Sequence, residues 1–140
     1  MLKSVKVRDY MTRHLVTFHA DTDLFTAINQ LLEHRISGAP VVDGQGRLVG
    51  LLSEGDCLRG ILQGAYYEST GGTISSYMTT DVETTSPEAD IIDVAERFLK
   101  GRRRRFPVVE GGKLVGQISR HDVLLAVKEF AQHEQGHPRG

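Results

Sequence analysis

The chain repeats itself. Displaced by 67 positions, "VRDYMT" at 7–12 falls on "ISSYMT" at 74–79, and "DLFTAINQLLEHRISGAPVVDG" at 23–44 falls on "DIIDVAERFLKGRRRRFPVVEG" at 90–111. After a one-residue gap, "RLVGLLSEGDCL" at 47–58 meets "KLVGQISRHDVL" at 113–124. Duplication constrains the fold more than any single motif, because one architecture must serve both halves. Each copy spans about 50–55 residues, too few to bury a robust core alone. The two copies are therefore expected to pack on each other about an approximate twofold axis.

Periodicity sets the elements of each copy. Leu24, Ala27, Ile28, Leu31 and Leu32 fall at i, i+3, i+4, i+7 and i+8, and Ile91, Val94, Ala95, Phe98 and Leu99 repeat the pattern. Both segments are predicted to be amphipathic helices with one buried face. "PVVD" and "RLVGLLS" read as two strands around a tight "GQG" turn, and "PVVEGGKLVGQIS" does the same around "GG". A second helix follows each strand pair, from 54 to about 63 and from 120 to about 132. "LVTF" at 15–18 and "VETT" at 82–85 read as short extended segments ahead of the first helices. The expected organisation is a first repeat at 7–62, a Gly-rich linker at 63–73, a second repeat at 74–132 and a mobile tail at 133–140.

Composition narrows the function. A hydrophobic fraction of 39% and a charged fraction of 25% over 140 residues describe a globular protein, not a disordered one. The formal net charge is −1, so the run Arg102–Arg105 is a local excess balanced elsewhere. A chain built to hold a nucleic-acid backbone usually carries a clear positive surplus. Cys57 is the single cysteine, which excludes an intramolecular disulfide and is compatible with a reducing, cytoplasmic setting. No apolar stretch approaches the roughly 20 residues that cross a bilayer.

The motif that carries chemistry sits where the second strand of each copy meets the last helix. It reads G-x-x-S-x-x-D: Gly50, Ser53 and Asp56 in the first copy, Gly116, Ser119 and Asp122 in the second. Ser followed by Asp three residues later is the pattern of a capping box, a purely structural role. The same geometry suits a ligand. A helix N-terminus offers unpaired amides and the positive end of the dipole to a phosphate, and a carboxylate one turn inside accepts hydrogen bonds from a vicinal diol. A ribose phosphate meets both conditions. The two roles are not exclusive, and the ligand role fails if both carboxylates point away from any cavity, locked into the protein's own backbone.

The stretches "YMT", "RISGAPVVDGQGRLVGLLSEGD" and "RRRRFPVVEGGKLVGQISRHD" resemble a tandem pair of CBS (cystathionine-beta-synthase) domains, the arrangement called a Bateman module, from about residue 7 to 130. The resemblance implies an α+β fold of two β-α-β-β-α repeats packed by their sheets with pseudo-twofold symmetry. It also implies a homodimer, a regulatory energy-sensing role without catalysis, and an adenosine ligand: AMP, ADP or ATP, or alternatively S-adenosylmethionine or NADH. Carried over by position, it assigns Asp56 to the ribose and Ser53 to a ribose or phosphate oxygen. Val16 and Thr17 would line the adenine, with Gly38, Ala39 and Pro40 bringing backbone close to the base. In the second copy the matching residues are Thr84, Arg105, Phe106, Pro107, Ser119 and Asp122. Arg103 or Arg105 is expected to meet phosphate, the alternative being a solvated charge run, and His121 is read as a surface residue that would reach a phosphate only when protonated. Ser53 and Ser119 stand where the family often has Thr, which keeps the hydroxyl.

Other features carry less. Spacing among the six histidines, including His133 and His137, forms no metal-ligating pattern. Cys57 has no histidine that would make it a nucleophile and reads as a packed small side chain. Tyr66 and Tyr67 read as packing residues in the linker. Two alternatives to the sensor remain: a ligand-free dimeric scaffold that docks a regulated partner protein, and a polyanion binder using Arg102–Arg105. No nucleophile–base set speaks for an enzyme.

Overall fold

The computed structural model describes residues 2–66, 72–101 and 103–136. Tyr67, Arg102 and His137 lie outside these residues, as does the side chain of Tyr66. The elements follow the predicted order. The first copy holds α1 (Leu24–His34), β1 (Gly38–Val42), β2 (Leu48–Ser53) and α2 (Glu54–Tyr66). The second holds α3 (Ile91–Lys100), β3 (Arg105–Glu110), β4 (Lys113–Ser119) and α4 (Arg120–Gly136). Short 3-10 turns at Val7–Asp9 and Ile74–Ser76 precede each set.

Local chemistry explains the boundaries. Asp23 caps α1 by accepting from the Thr26 amide at 3.1 Å, and Asp90 caps α3 by accepting from the Asp93 amide at 2.7 Å. Gly46 at the β1–β2 turn and Gly111–Gly112 at the β3–β4 turn take positive φ, which glycine adopts without steric cost. Two boundaries differ from the sequence expectation. Helix α2 continues through Tyr66, so residues 63–66 are helical and not linker. Helix α4 reaches Gly136, four residues into the expected tail. No proline interrupts either stretch, and Gly64 alone costs a helix only about 1 kcal/mol.

The chain folds into two compact units. One consists of Leu15–Val82 with Gly112–Leu114, and the other of the first fourteen residues, Glu83–Gly111 and the chain from Val115 onward. In the first unit β1 and β2 are antiparallel, with Gly38 opposite Ser53, Ala39 opposite Leu52 and Pro40 opposite Leu51. The extended segment before α1 joins β1 in parallel through Phe18 and Val41. Its core gathers Phe18, Leu24, Ala27, Leu31, Ala39, Val41, Leu52, Cys57 and Ile74. In the second unit β3 and β4 pair, and Thr85 bridges Val108 as Phe18 bridges Val41. Val7, Met11, Ile91, Val94, Phe98, Phe106, Val108, Ile118, Val123 and Ala126 form that core.

Sequence repeats and compact units do not coincide. Thr12 of the first "YMT" pairs with Gln117 on β4, and Thr79 of the second pairs with Leu51 on β2. Each "YMT" thus extends the sheet built by the other copy's strands. The glycine of G-x-x-S-x-x-D makes room for it. A Cβ on Gly50 would stand 2.9 Å from the Thr79 carbonyl oxygen, and one on Gly116 would stand 2.9 Å from that of Thr12. Contacts that short to backbone admit only glycine.

A strand-to-helix junction in two versions

Both junctions form reciprocal capping boxes. In the first, the Ser53 amide donates to Asp56 Oδ2 at 2.9 Å and the Asp56 amide donates to Ser53 Oγ at 3.1 Å. In the second, the Ser119 amide donates to Asp122 Oδ2 at 2.9 Å and the Asp122 amide donates to Ser119 Oγ at 3.2 Å. One oxygen of each carboxylate is therefore committed to starting a helix. The other oxygen decides what else the acid can do.

Asp56 is 1% exposed. Its Oδ1 accepts from Arg59 Nη2 in an ion pair, and the Thr79 hydroxyl donates to the same oxygen at 3.5 Å, the long limit of a hydrogen bond. Around this acid, Gly38 stands opposite Ser53, so β1 brings Gly38, Ala39 and Pro40 to the end of β2. The Phe18 amide donates to the Pro40 carbonyl at 3.0 Å, which lays Val16 and Thr17 alongside. Thr17 and Ser53 are exposed, Val16 and Gly38 half-buried, and Ala39 and Pro40 buried. Cys57 follows Asp56 into the core. Burial pushes its thiol up, and the nearby Asp56 and Glu54 carboxylates push the same way.

Asp122 is half-buried, and its Oδ1 accepts from no donor among the described residues. The carbonyls of the basic run receive hydrogen bonds from Arg120. Its amide donates to Arg104 O at 3.2 Å and its Nε to Arg103 O at 3.1 Å, while Nη2 donates to Phe98 O at 3.1 Å. Arg103 is exposed, with its Nε 3.5 Å from a Glu83 carboxylate oxygen. Arg105 is half-buried and already engaged within the protein. His121 is exposed on the first turn of α4. The Thr85 amide donates to Pro107 O at 3.0 Å, placing half-buried Thr84 beside buried Phe106 and Pro107.

Phe106 matches Ala39 by position, and Thr85 matches Phe18. Bulk has moved from the edge segment onto the strand, which keeps each core filled. Phe106 stacks on Phe98 at 4.5 Å between centroids, and the Arg97 guanidinium lies 4.4 Å above its ring. Arg97 also donates to Thr84 O at 2.7 Å. The exchange leaves the buried Thr85 hydroxyl without a partner among the described residues.

Residue spacing did not single out Arg59, Thr79, Arg97 or Arg120. Arg59 was open to detection, since residues three apart on a helix share a face and a basic residue at that distance meets Asp56. Thr79 was not, because its contact depends on the exchange of "YMT" segments. Among the described residues, no group of three or more His, Cys, Asp or Glu side chains converges as for a metal, and no helix is long and apolar enough to cross a membrane.

Known proteins share this arrangement. The CBS domain family description matches twice, at residues 7–63 and 74–129. The uncharacterized protein MJ1225 of Methanocaldococcus jannaschii is 32% identical over 118 residues, covering 84% of this chain and 41% of that protein. An A-adding tRNA nucleotidyltransferase of Aquifex aeolicus is 34% identical over 125 residues, which is 89% of this chain and 15% of the enzyme. The chain thus spans less than half the length of either relative. A crystal structure of CBSX2 in complex with AMP aligns with a TM-score of 0.80 at 29% identity, over 91% of this chain and 98% of that one. The CBS domain pair of protein MJ0100, in complex with 5-methylthioadenosine and S-adenosyl-L-methionine, aligns with a TM-score of 0.75 at 25% identity, over 90% and 98%. With two family matches spanning most of its length and CBS-pair structures superposing on nearly all of it, the chain belongs to the CBS domain family and carries two such domains in tandem.

Proposed function

We propose that the chain is a regulatory, non-catalytic module that binds an adenosine ligand of the AMP, ADP or ATP type and acts through a homodimer on a partner protein. One observation carries this reading. The Ser–Asp box recurs at both strand-to-helix junctions of a chain whose structural relatives were solved with AMP, and with 5-methylthioadenosine and S-adenosyl-L-methionine. A box of this kind offers first-turn amides to a phosphate and, through the carboxylate oxygen that the cap leaves over, an acceptor to a ribose diol. Adenine would lie along Val16, Thr17 and Gly38–Pro40 in the first unit, and along Thr84 and Arg105–Pro107 in the second. Ligand binding regulates a partner only if two conformations bind the ligand with different affinity.

Thermal melting with AMP, ADP, ATP, S-adenosylmethionine and NADH, with GMP as the control, tests the reading. At 100 times Kd a bound ligand adds about 2.7 kcal/mol, which raises Tm by several degrees in a chain of this size. The expected result is a shift with at least one adenosine compound and a smaller one with GMP. Unchanged melting with all of them contradicts the proposal.

A further inference from the structure

Resting on that adenosine reading, we infer that the two boxes are not equivalent sites: Arg59 holds the first one shut, and the second, at Asp122, is the one that takes ligand. Three features of the first unit build the lock. Both oxygens of Asp56 have partners, Oδ2 the Ser53 amide and Oδ1 the Arg59 guanidinium, with Thr79 at the edge of reach. Arg59 folds back over the first turn of α2, its Nη1 3.8 Å from where a Cβ on Gly55 would stand. A diol approaching Asp56 must displace a cation, and a phosphate approaching the amides meets the Glu54 carboxylate on the same turn.

The second unit shares the cap bond from the Ser119 amide to Asp122 Oδ2 but has no counterpart of Arg59, Gly55 or Glu54. Leu125 stands where Arg59 would, His121 where Gly55 would, and Arg120 where Glu54 would. Asp122 Oδ1 keeps an acceptor without a donor among the described residues. The first turn of α4 carries Arg120 and His121, and β3 begins at Arg105. The first-turn charge therefore differs in sign, Glu54 on α2 against Arg120 on α4, which favours an anionic adenosine ligand in the second unit.

Isothermal titration of the full chain with AMP, and in parallel with ATP, gives the count. The wild type is expected to bind one equivalent. Arg59→Leu, which installs the second copy's residue at a side chain that is 61% exposed, is expected to bind two. Asp122→Asn is expected to remove the wild-type equivalent and to leave the one gained in Arg59→Leu. Two equivalents in the wild type overturn the lock while leaving the adenosine reading intact. So does one equivalent in Arg59→Leu, or wild-type binding that survives Asp122→Asn. No binding of either nucleotide by wild type or Arg59→Leu overturns the adenosine reading itself, and the lock with it.

Discussion

Asp56 and Asp122 share a spacing and differ in what surrounds them, and single residues account for the difference. The serine–aspartate motif was legible in the sequence, and so was its capping role. A difference between the copies was legible too, small Gly38–Ala39 against bulky Arg105–Phe106, but which carboxylate oxygens are already partnered was not, because that depends on where Arg59 folds and on Thr79, a residue 23 positions away. Thr85 makes a second point at this scale. The residue it replaces by position, Phe18, is apolar and packed in a core, while Thr85 buries a hydroxyl with no partner among the described residues. Thr85→Val is expected to raise stability by about 1 kcal/mol in chemical denaturation, since an unsatisfied buried hydroxyl costs about 1–3 kcal/mol. A loss of stability would mean that the hydroxyl is satisfied. Cys57, 6% exposed with its thiol pKa raised by burial, favours the neutral form in the folded state. Its contribution to stability is complete below the ordinary thiol pKa and is lost as pH rises through the raised value. Iodoacetamide at pH 8 is accordingly expected to label the folded chain far more slowly than the urea-unfolded chain; equal rates would count against this.

Among the elements, helices α1 and α3 were readable from apolar spacing, and the paired strands from β-branched runs around glycine turns. The ends of α2 and α4 were harder, because glycine and polar residues there permit a helix without demanding one. The exchange of "YMT" segments left a trace in the sequence, the glycine of G-x-x-S-x-x-D, but nothing local says which backbone comes close to it. Spacing showed that "YMT" repeats; only the fold shows that Thr12 lies on β4 and Thr79 on β2. Gly116→Ala tests this contact. Its new Cβ would press on the Thr12 carbonyl and on Met11, whose sulfur would be 2.8 Å away. Crowding of this kind typically costs about 1–3 kcal/mol, so Tm is expected to fall by several degrees. An unchanged Tm would show that the segment is not held against β4.

For the whole molecule, the exposed leucines say most. Leu32, Leu58 and Leu62 stand out from α1 and α2 of one unit, and Leu99 and Leu124 from α3 and α4 of the other. Beside them run apolar grooves of about 560 Å³, lined by Phe25, Ile28 and Leu58 among others, and about 260 Å³, lined by Phe98, Leu99 and Leu124 among others. Exposed apolar faces of this kind are the mark of an association surface. Sedimentation is expected to give a dimer for the wild type and a monomer for Leu58→Glu combined with Leu124→Glu; a monomeric wild type would remove the homodimer from the proposal. The central claim is that an adenosine ligand lodges where a strand passes into a helix. Amide NMR spectra recorded as AMP is added test it most directly. The account predicts saturable shifts concentrated at Ser119, Arg120, His121 and Asp122, with much smaller ones at Ser53–Asp56. Shifts absent from both junctions, or spread evenly over the surface without saturating, would contradict it.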